Sequence, residues 1–248
     1  MMLTEILMGT KVPNPRESPY LCGMNPHESL EDRDLAHSFG SVETPLRPDA
    51  FALSDEEKIE RIEGAVRTIL DTLGLDLTDD SLQGTPRRVA KMYVKETFGG
   101  LNPERKPSLN TFENSYHYGE MLVEKNIVVY STCEHHMLPI VGRAHIAYLS
   151  QEKVIGLSKM NRIVDFFAKR PQVQERLTRQ IVAALQEALG TPDVACIIDA
   201  KHLCVNARGI RDIDSSTVTA EYGGRFLEEE KLRRDLMDYI RLDTKFGA

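Results

Sequence analysis

The sequence predicts an α+β fold in which an antiparallel sheet carries helices on one face. Three observations predict it: apolar residues at helical spacing before about residue 118, short β-branched runs beyond Met121, and renewed helical periodicity between those runs. Read in order, the chain gives two helices, two strands, two helices, two strands and a last helix, an alternation that suits packed helices on an antiparallel sheet. Residues 1–49 are expected to form a mobile extension, residues 50–118 a helical segment, and residues 119–248 the sheet-bearing domain that carries the chemistry.

The extension is expected because Pro13, Pro15, Pro19, Pro26, Pro45 and Pro48 interrupt a stretch rich in Ser, Asn and charge, with no sustained periodicity. Ser54 and Glu57 then make a capping box, and Ile59, Ile62, Val66, Ile69 and Leu73 follow at helical spacing until Gly74. Thr85 and Pro86 open a second helix, which Gly99 and Gly100 end. Arg87, Arg88 and Lys91 ride its first turns, where cations oppose the helix dipole by a few tenths of a kcal/mol, so an anion is expected to be what they serve.

Strands are expected at Ile127 to Thr132, Val141 to Leu149, Val194 to Val205 and Ser216 to Tyr222. Ser158 is placed to cap a helix reaching Arg170 before Pro171. Val173, Leu177, Ile181, Leu185 and Ala188 mark another that ends at Gly190, and Leu232, Leu236, Tyr239 and Ile240 mark the last.

Composition narrows the function classes. A chain of 248 residues with 41% hydrophobic content can bury one substantial core with a small appendage. No run approaches the roughly 18 to 20 apolar residues that span a bilayer, and Glu5 stands where a signal peptide needs a positive flank, so a cytoplasmic protein is expected. The formal charge of −7 argues against general nucleic-acid binding, which needs a dense cationic field. Cys22, Cys133, Cys196 and Cys204 are too few and too unevenly spaced for a disulfide framework, which leaves metal binding or plain burial.

Cys133-Glu134-His135-His136 follows one β-rich run, and His202-Leu203-Cys204 lies in a later one. Residues two apart in a strand share a face, so His202 and Cys204 are expected to address one site, while Cys133 and His136 converge across a turn. Thiolate and imidazole together favour zinc, and three ligands, Cys133, His136 and Cys204, leave a tetrahedral position for water. Zinc lowers the pKa of that water from about 15.7 to about 7, which best explains a hydrolytic nucleophile. His135 and His202 remain beside the ion as acid and base candidates. Cys196 would lie about 26 Å from Cys204 along one strand at ~3.3 Å per residue, and is read as core. Cys22 is assigned to the extension and His145 to a strand, neither to the site.

A second constellation is basic: Arg88 and Lys91, Lys159 and Arg162, Arg208 and Arg211. Arg forks suit phosphate oxygens, and with neither a Walker A loop nor a Rossmann glycine fingerprint, any nucleotide must be held by side chains on another architecture. Glu175 lies in the first turn of its helix, where the dipole alone would justify a carboxylate; accepting two N–H groups from a purine edge is the alternative, and both stay open.

The segments TPRRVAKMY from Thr85, STCEHH from Ser131, VIGLSKMNRIV from Val154, RPQVQERLT from Arg170 and DAKHLCVNARGIRD from Asp199 together resemble the GTP cyclohydrolase I family, from about Thr44 to Leu242. The resemblance implies zinc on Cys133, His136 and Cys204, and proton handling by His135 and His202. It implies guanine recognition at Gln174 and Glu175, a ribose or phosphate contact at Ser158, and triphosphate binding by Arg88, Lys91, Lys159, Arg162 and Arg208. It further implies a tunnelling fold whose sheets associate into a barrel, usually a decamer of two pentameric rings with sites between subunits, which takes GTP and water to formate and 7,8-dihydroneopterin triphosphate. Two rival readings are a zinc nucleobase deaminase using Glu134 as proton shuttle, which lacks its P-C-x-x-C partner, and a non-catalytic purine- or pterin-binding homologue. Glu221 brings a carboxylate where relatives of the family commonly have uncharged residues.

Overall fold

A computed structural model describes residues 43–242. The expected extension therefore lies outside the described residues except for residues 43–49, and Cys22 lies outside them altogether. Helix α1 (Asp55–Thr72) begins at Ser54, whose hydroxyl accepts from the Glu57 N–H while the Glu57 carboxylate accepts from the Ser54 N–H, as the capping box requires. Helix α2 (Thr85–Met92) passes through one π turn (Tyr93–Thr97) before Gly99. Arg87 does not wait for an anion: it pairs with Glu56 and Glu63 of α1, which accounts for one cation near that helix start.

Beyond the helices, β1 (Thr111–Glu113) pairs, among the described residues, only with β4 (Lys153–Ile155). Between them run β2 (Met121–Cys133) and β3 (Pro139–Leu149), followed by α3 (Leu157–Ala168), β5 (Pro171–Gln172), α4 (Gln174–Leu189), β6 (Val194–His202), a short helix α5 (Leu203–Asn206), β7 (Thr217–Tyr222), α6 (Arg225–Glu228) and α7 (Glu230–Arg241). The main sheet has the order β5-β2-β3-β6-β7, antiparallel throughout except for the short parallel pairing of β5 with β2.

Alternation along the strands separates two cores. Ile146 and Tyr148 of β3 with Cys196 and Ile198 of β6 face Ile163, Phe167, Leu177 and Ile181 of α3 and α4. Ala147, Leu149, Ala195 and Ile197 point the other way and meet Phe226 of α6 and Leu236 of α7. Helices on one face thus describes α3 and α4 but not the C-terminal pair, whose apolar stripe covers the opposite side. In β2 the register slips between Glu124 and Ile127, with Asn126 at φ 62°, so Met121 belongs to one core and Ile127 to the other.

Two local expectations change. The start of α3 is capped at Gly156, without a side-chain bond, and Ser158 lies inside the first turn rather than at the cap. The strand expected to reach Val205 ends at His202, where its pairing with β3 runs out at Ile140, and the chain then coils into α5. At the end of α4, Gly190 takes the left-handed conformation (φ 68°) that closes a helix. Among the described residues no helix is long and apolar enough to cross a membrane.

Candidate active site

The last residue of β2, Cys133, hands over to a tight turn in which the Cys133 N–H donates to the Leu138 carbonyl and the Met137 N–H to the Cys133 carbonyl. That turn brings His136 back over Cys133. At the far end of β6 the change from strand to helix brings Cys204 to the same place, so His202 and Cys204 converge through a bend and not through strand parity. The donor atoms of Cys133, His136 and Cys204 all lie within 4.8 Å of one another, with Cys133 buried, Cys204 half-buried and His136 exposed. Two sulfurs and one imidazole at that spacing fit a zinc-sized ion, and three donors fill three corners of a tetrahedron.

The sulfurs differ in electrostatic character. Burial pushes the Cys133 thiol up, but hydrogen bonds with the His202 side chain, the His135 and His136 main chains and Cys204 outweigh it and bring Cys133 down to about 6. Cys204 is raised, first by burial and then by its hydrogen bond to Cys133 and the charge there. The pair thus favours one thiolate that accepts from its neighbour's thiol, a state ready to exchange the shared proton for a cation. Cys196, by contrast, is fully buried in the core and raised by that burial, an inert thiol as the sequence suggested.

The two remaining histidines lie alongside. The His135 Nδ1 is 3.8 Å from the Cys133 sulfur, and the ring of His202 touches the same sulfur on one side and Gln174 Oε1 on the other, at 2.8 Å from Nε2. His145 is elsewhere on β3, accepting the Asn126 N–H, and takes no part.

Glu175 is exposed at the start of α4, whereas its neighbour Gln174 is only 1% exposed and both ends of its amide are engaged by protein. The basic residues are dispersed. Arg88 lies along its own helix start, donating to the Ser81 carbonyl and Thr85 Oγ1, and Lys91 is exposed one turn on. Lys159 is half-buried and donates to Ser108 Oγ, while Ser158 beside it is exposed. Arg162 lines a cavity of about 270 Å³ with Lys95, Arg105 and Lys169. Arg208, just beyond α5, lies near enough to lower the Cys204 thiol electrostatically, although burial and Cys133 outweigh it.

A family profile described as GTP cyclohydrolase I matches residues 62–241. The chain belongs to the GTP cyclohydrolase I family. Proteins named GTP cyclohydrolase 1 are similar over four fifths or more of the chain. One from Flavobacterium johnsoniae is 65% identical over 223 residues, covering 90% of this chain and all of the relative. One from Aeromonas salmonicida is 54% identical over 200 residues (81% of this chain, 91% of the relative), and one from Escherichia coli O1:K1 / APEC is 48% identical over 215 residues (87% and 94%).

Within this GTP cyclohydrolase I family member, one site element escaped the sequence reading. Arg176 is buried and forks onto both carboxylate oxygens of Glu134, at 2.6 and 3.2 Å. The signal was available: a guanidinium beside Leu177 on the apolar stripe of α4 needs a buried partner. The deaminase-like use of Glu134 as proton shuttle loses its basis, since that carboxylate is committed to Arg176.

Proposed function

We propose that this chain opens the imidazole ring of GTP with water, releasing formate and leaving 7,8-dihydroneopterin triphosphate, at a site assembled around Cys133, His136 and Cys204. The observation that carries the reading is the convergence of these three donors within 4.8 Å, a set that would leave a bound zinc ion a fourth position for water. A zinc ion bound there would supply Lewis acidity that makes water nucleophilic near neutral pH.

The rest of the chemistry falls to the chain's own side chains. Removing C8 of guanine as formate breaks its bonds to N7 and N9, and each nitrogen must gain a proton. His135 and His202 are the groups we assign to deliver and withdraw those protons, because both border the donor cluster and imidazole exchanges protons near pH 7. Exposed Glu175 would accept the two N–H groups on the pyrimidine edge of guanine, orienting C8 toward the cluster, with Gln174 contributing through its main chain. Ser158 would meet the ribose or a phosphate. Lys159, Arg162 and Arg208 would hold the triphosphate together with Arg88 and Lys91, whose dispersion in one chain suits contributions from a neighbouring subunit.

On this reading the tunnelling fold closes its small sheets into a multi-subunit barrel, a decamer of two pentamers, working in the cytoplasm without nucleic acid or membrane. The outward-facing Val128, Tyr130 and Val218 on the sheet, Ile69 on α1 and Leu73 at its C-cap supply apolar surface for such contacts. Purified protein given GTP should release one formate per turnover and yield a pterin that fluoresces after oxidation. Ammonia in place of formate would point to deamination and overturn the reading.

A further inference from the structure

The first turn of α4 alternates in a telling way: Gln174 buried, Glu175 exposed, Arg176 buried. The exposed carboxylate faces solvent, and the two buried side chains on either side of it reach separate halves of the donor cluster.

Gln174 reaches the β6 half. Its Nε2 lies 3.0 Å from the Ile198 carbonyl, 2.8 Å from the Thr217 carbonyl and 3.1 Å from Thr219 Oγ1. Two carbonyl oxygens can only accept, so the amide nitrogen belongs there and Oε1 must face His202. The His202 Nε2 is then a donor into Gln174 Oε1, which fixes the ring's orientation beside the Cys133 sulfur. Thr219 is itself tied to Thr178 on the next turn of α4, so the amide is anchored from both sides.

Arg176 reaches the β2 half. Its side chain is 2% exposed, and its fork holds Glu134, the residue between Cys133 and His135. The same turn is held again at its main chain, where the Glu134 N–H donates to the Gln172 carbonyl just ahead of α4. A bidentate fork onto a carboxylate constrains direction as well as distance.

We propose that the first turn of α4 is a positioning clamp in which Gln174 sets the ring of His202 and Arg176 sets the turn that presents Cys133 and His136. The proposal rests on the reading of His202 as a proton carrier and of the Cys-His-Cys group as metal donors. It assigns the Gln174 side chain to His202 rather than to guanine, and it divides the labour: Gln174 governs turnover, Arg176 governs metal retention.

The test uses the full-length assembled enzyme. Gln174→Met keeps the side chain's shape and removes its hydrogen bonds. It should bind zinc stoichiometrically and keep the absorption spectrum of the cobalt(II)-substituted protein, while kcat falls about 10- to 100-fold and KM for GTP stays within about threefold, the scale of loss when an orienting partner is removed. Arg176→Met should instead weaken zinc about 10- to 100-fold in competition with a chromogenic chelator, with kcat largely restored at saturating zinc. The clamp is overturned if Gln174→Met retains full kcat, if its loss lies only in KM, or if Arg176→Met holds zinc as tightly as the parent. It is equally overturned if each variant, though folded and assembled, loses metal and turnover together.

Should either variant fail to fold, Thr219→Val and Arg176→Lys replace them. Thr219→Val removes one anchor of the amide and should lower kcat severalfold; Arg176→Lys keeps the charge without the fork and should weaken zinc by less than Arg176→Met. No change in either replacement sinks that arm of the proposal. A parent enzyme that released no formate from GTP would overturn the proposed reaction, whereas the zinc competition would still judge the Arg176 arm.

Discussion

Helices α1 and α4 are nearly the same length and are held in opposite ways. Of the 18 residues of α1 only Ile59 is buried, whereas ten of the 16 residues of α4 are, including Arg176 and Gln174. The first helix is fastened by its capping box and by exposed or half-exposed ion pairs, Glu56 and Glu63 to Arg87 and Asp55 to Arg105, each contributing little against solvent screening. The second lies on the sheet with Leu177, Ile181 and Leu185 at 0% exposure, each side chain contributing about 1.5–3 kcal/mol by its burial. Site geometry needs tolerances of a fraction of an ångström, and only an element gripped by a core can supply them. That is why the polar residues that orient the donor cluster issue from α4, while the 58% and 71% exposure of Ile69 and Leu73 leaves α1 a surface for other contacts.

The largest effects should come from the cluster that α4 supports. Cys204→Ala should lose zinc and, with it, measurable formate release. His202→Ala should keep zinc and lose about 10²- to 10⁴-fold in kcat, the usual share of a general acid or base. Elemental analysis alongside the formate assay separates the two. Activity persisting in a metal-free Cys204→Ala protein would show that the donor set is not the working part of the site.

Next in size is the core itself. Leu177→Ala should cost about 2–5 kcal/mol of stability, since a buried leucine leaves both lost burial and a cavity. Denaturant unfolding would measure it. A cost below about 1 kcal/mol would mean that α4 is not gripped as its burial indicates, and the contrast with α1 would fail.

Much of this was legible before any coordinates. The capping box at Ser54, the stripe from Val173 to Ala188 and the stop at Gly190 rest on local rules, and the helices form where those rules place them. The donor triad was legible because thiol and imidazole are rare enough to stand out in two short segments. What escaped was set by tertiary partners. The end of β6 at His202 coincides with the end of its pairing with β3 at Ile140, so the bend that delivers Cys204 has no local signature. The slip in β2 at Asn126 likewise answers to β3 and to two separate cores. Gln174 could be assigned a ligand from resemblance, but its burial against Ile198, Thr217 and His202 depends on residues more than twenty positions away.

The smallest expected effect tests the weakly held region. Ser54→Ala removes the hydroxyl that accepts the Glu57 N–H and leaves an orphan donor at the start of α1. The cost should be about 0.5–2 kcal/mol, as for other N-cap hydroxyls. Because α1 buries one side chain, that loss should appear as local fraying: faster amide exchange over the first turns of α1, with protection in α4 and kcat unchanged. If exchange accelerated equally in both helices, α1 and α4 would unfold as one cooperative unit, and the burial of Ile59 alone would have to couple them.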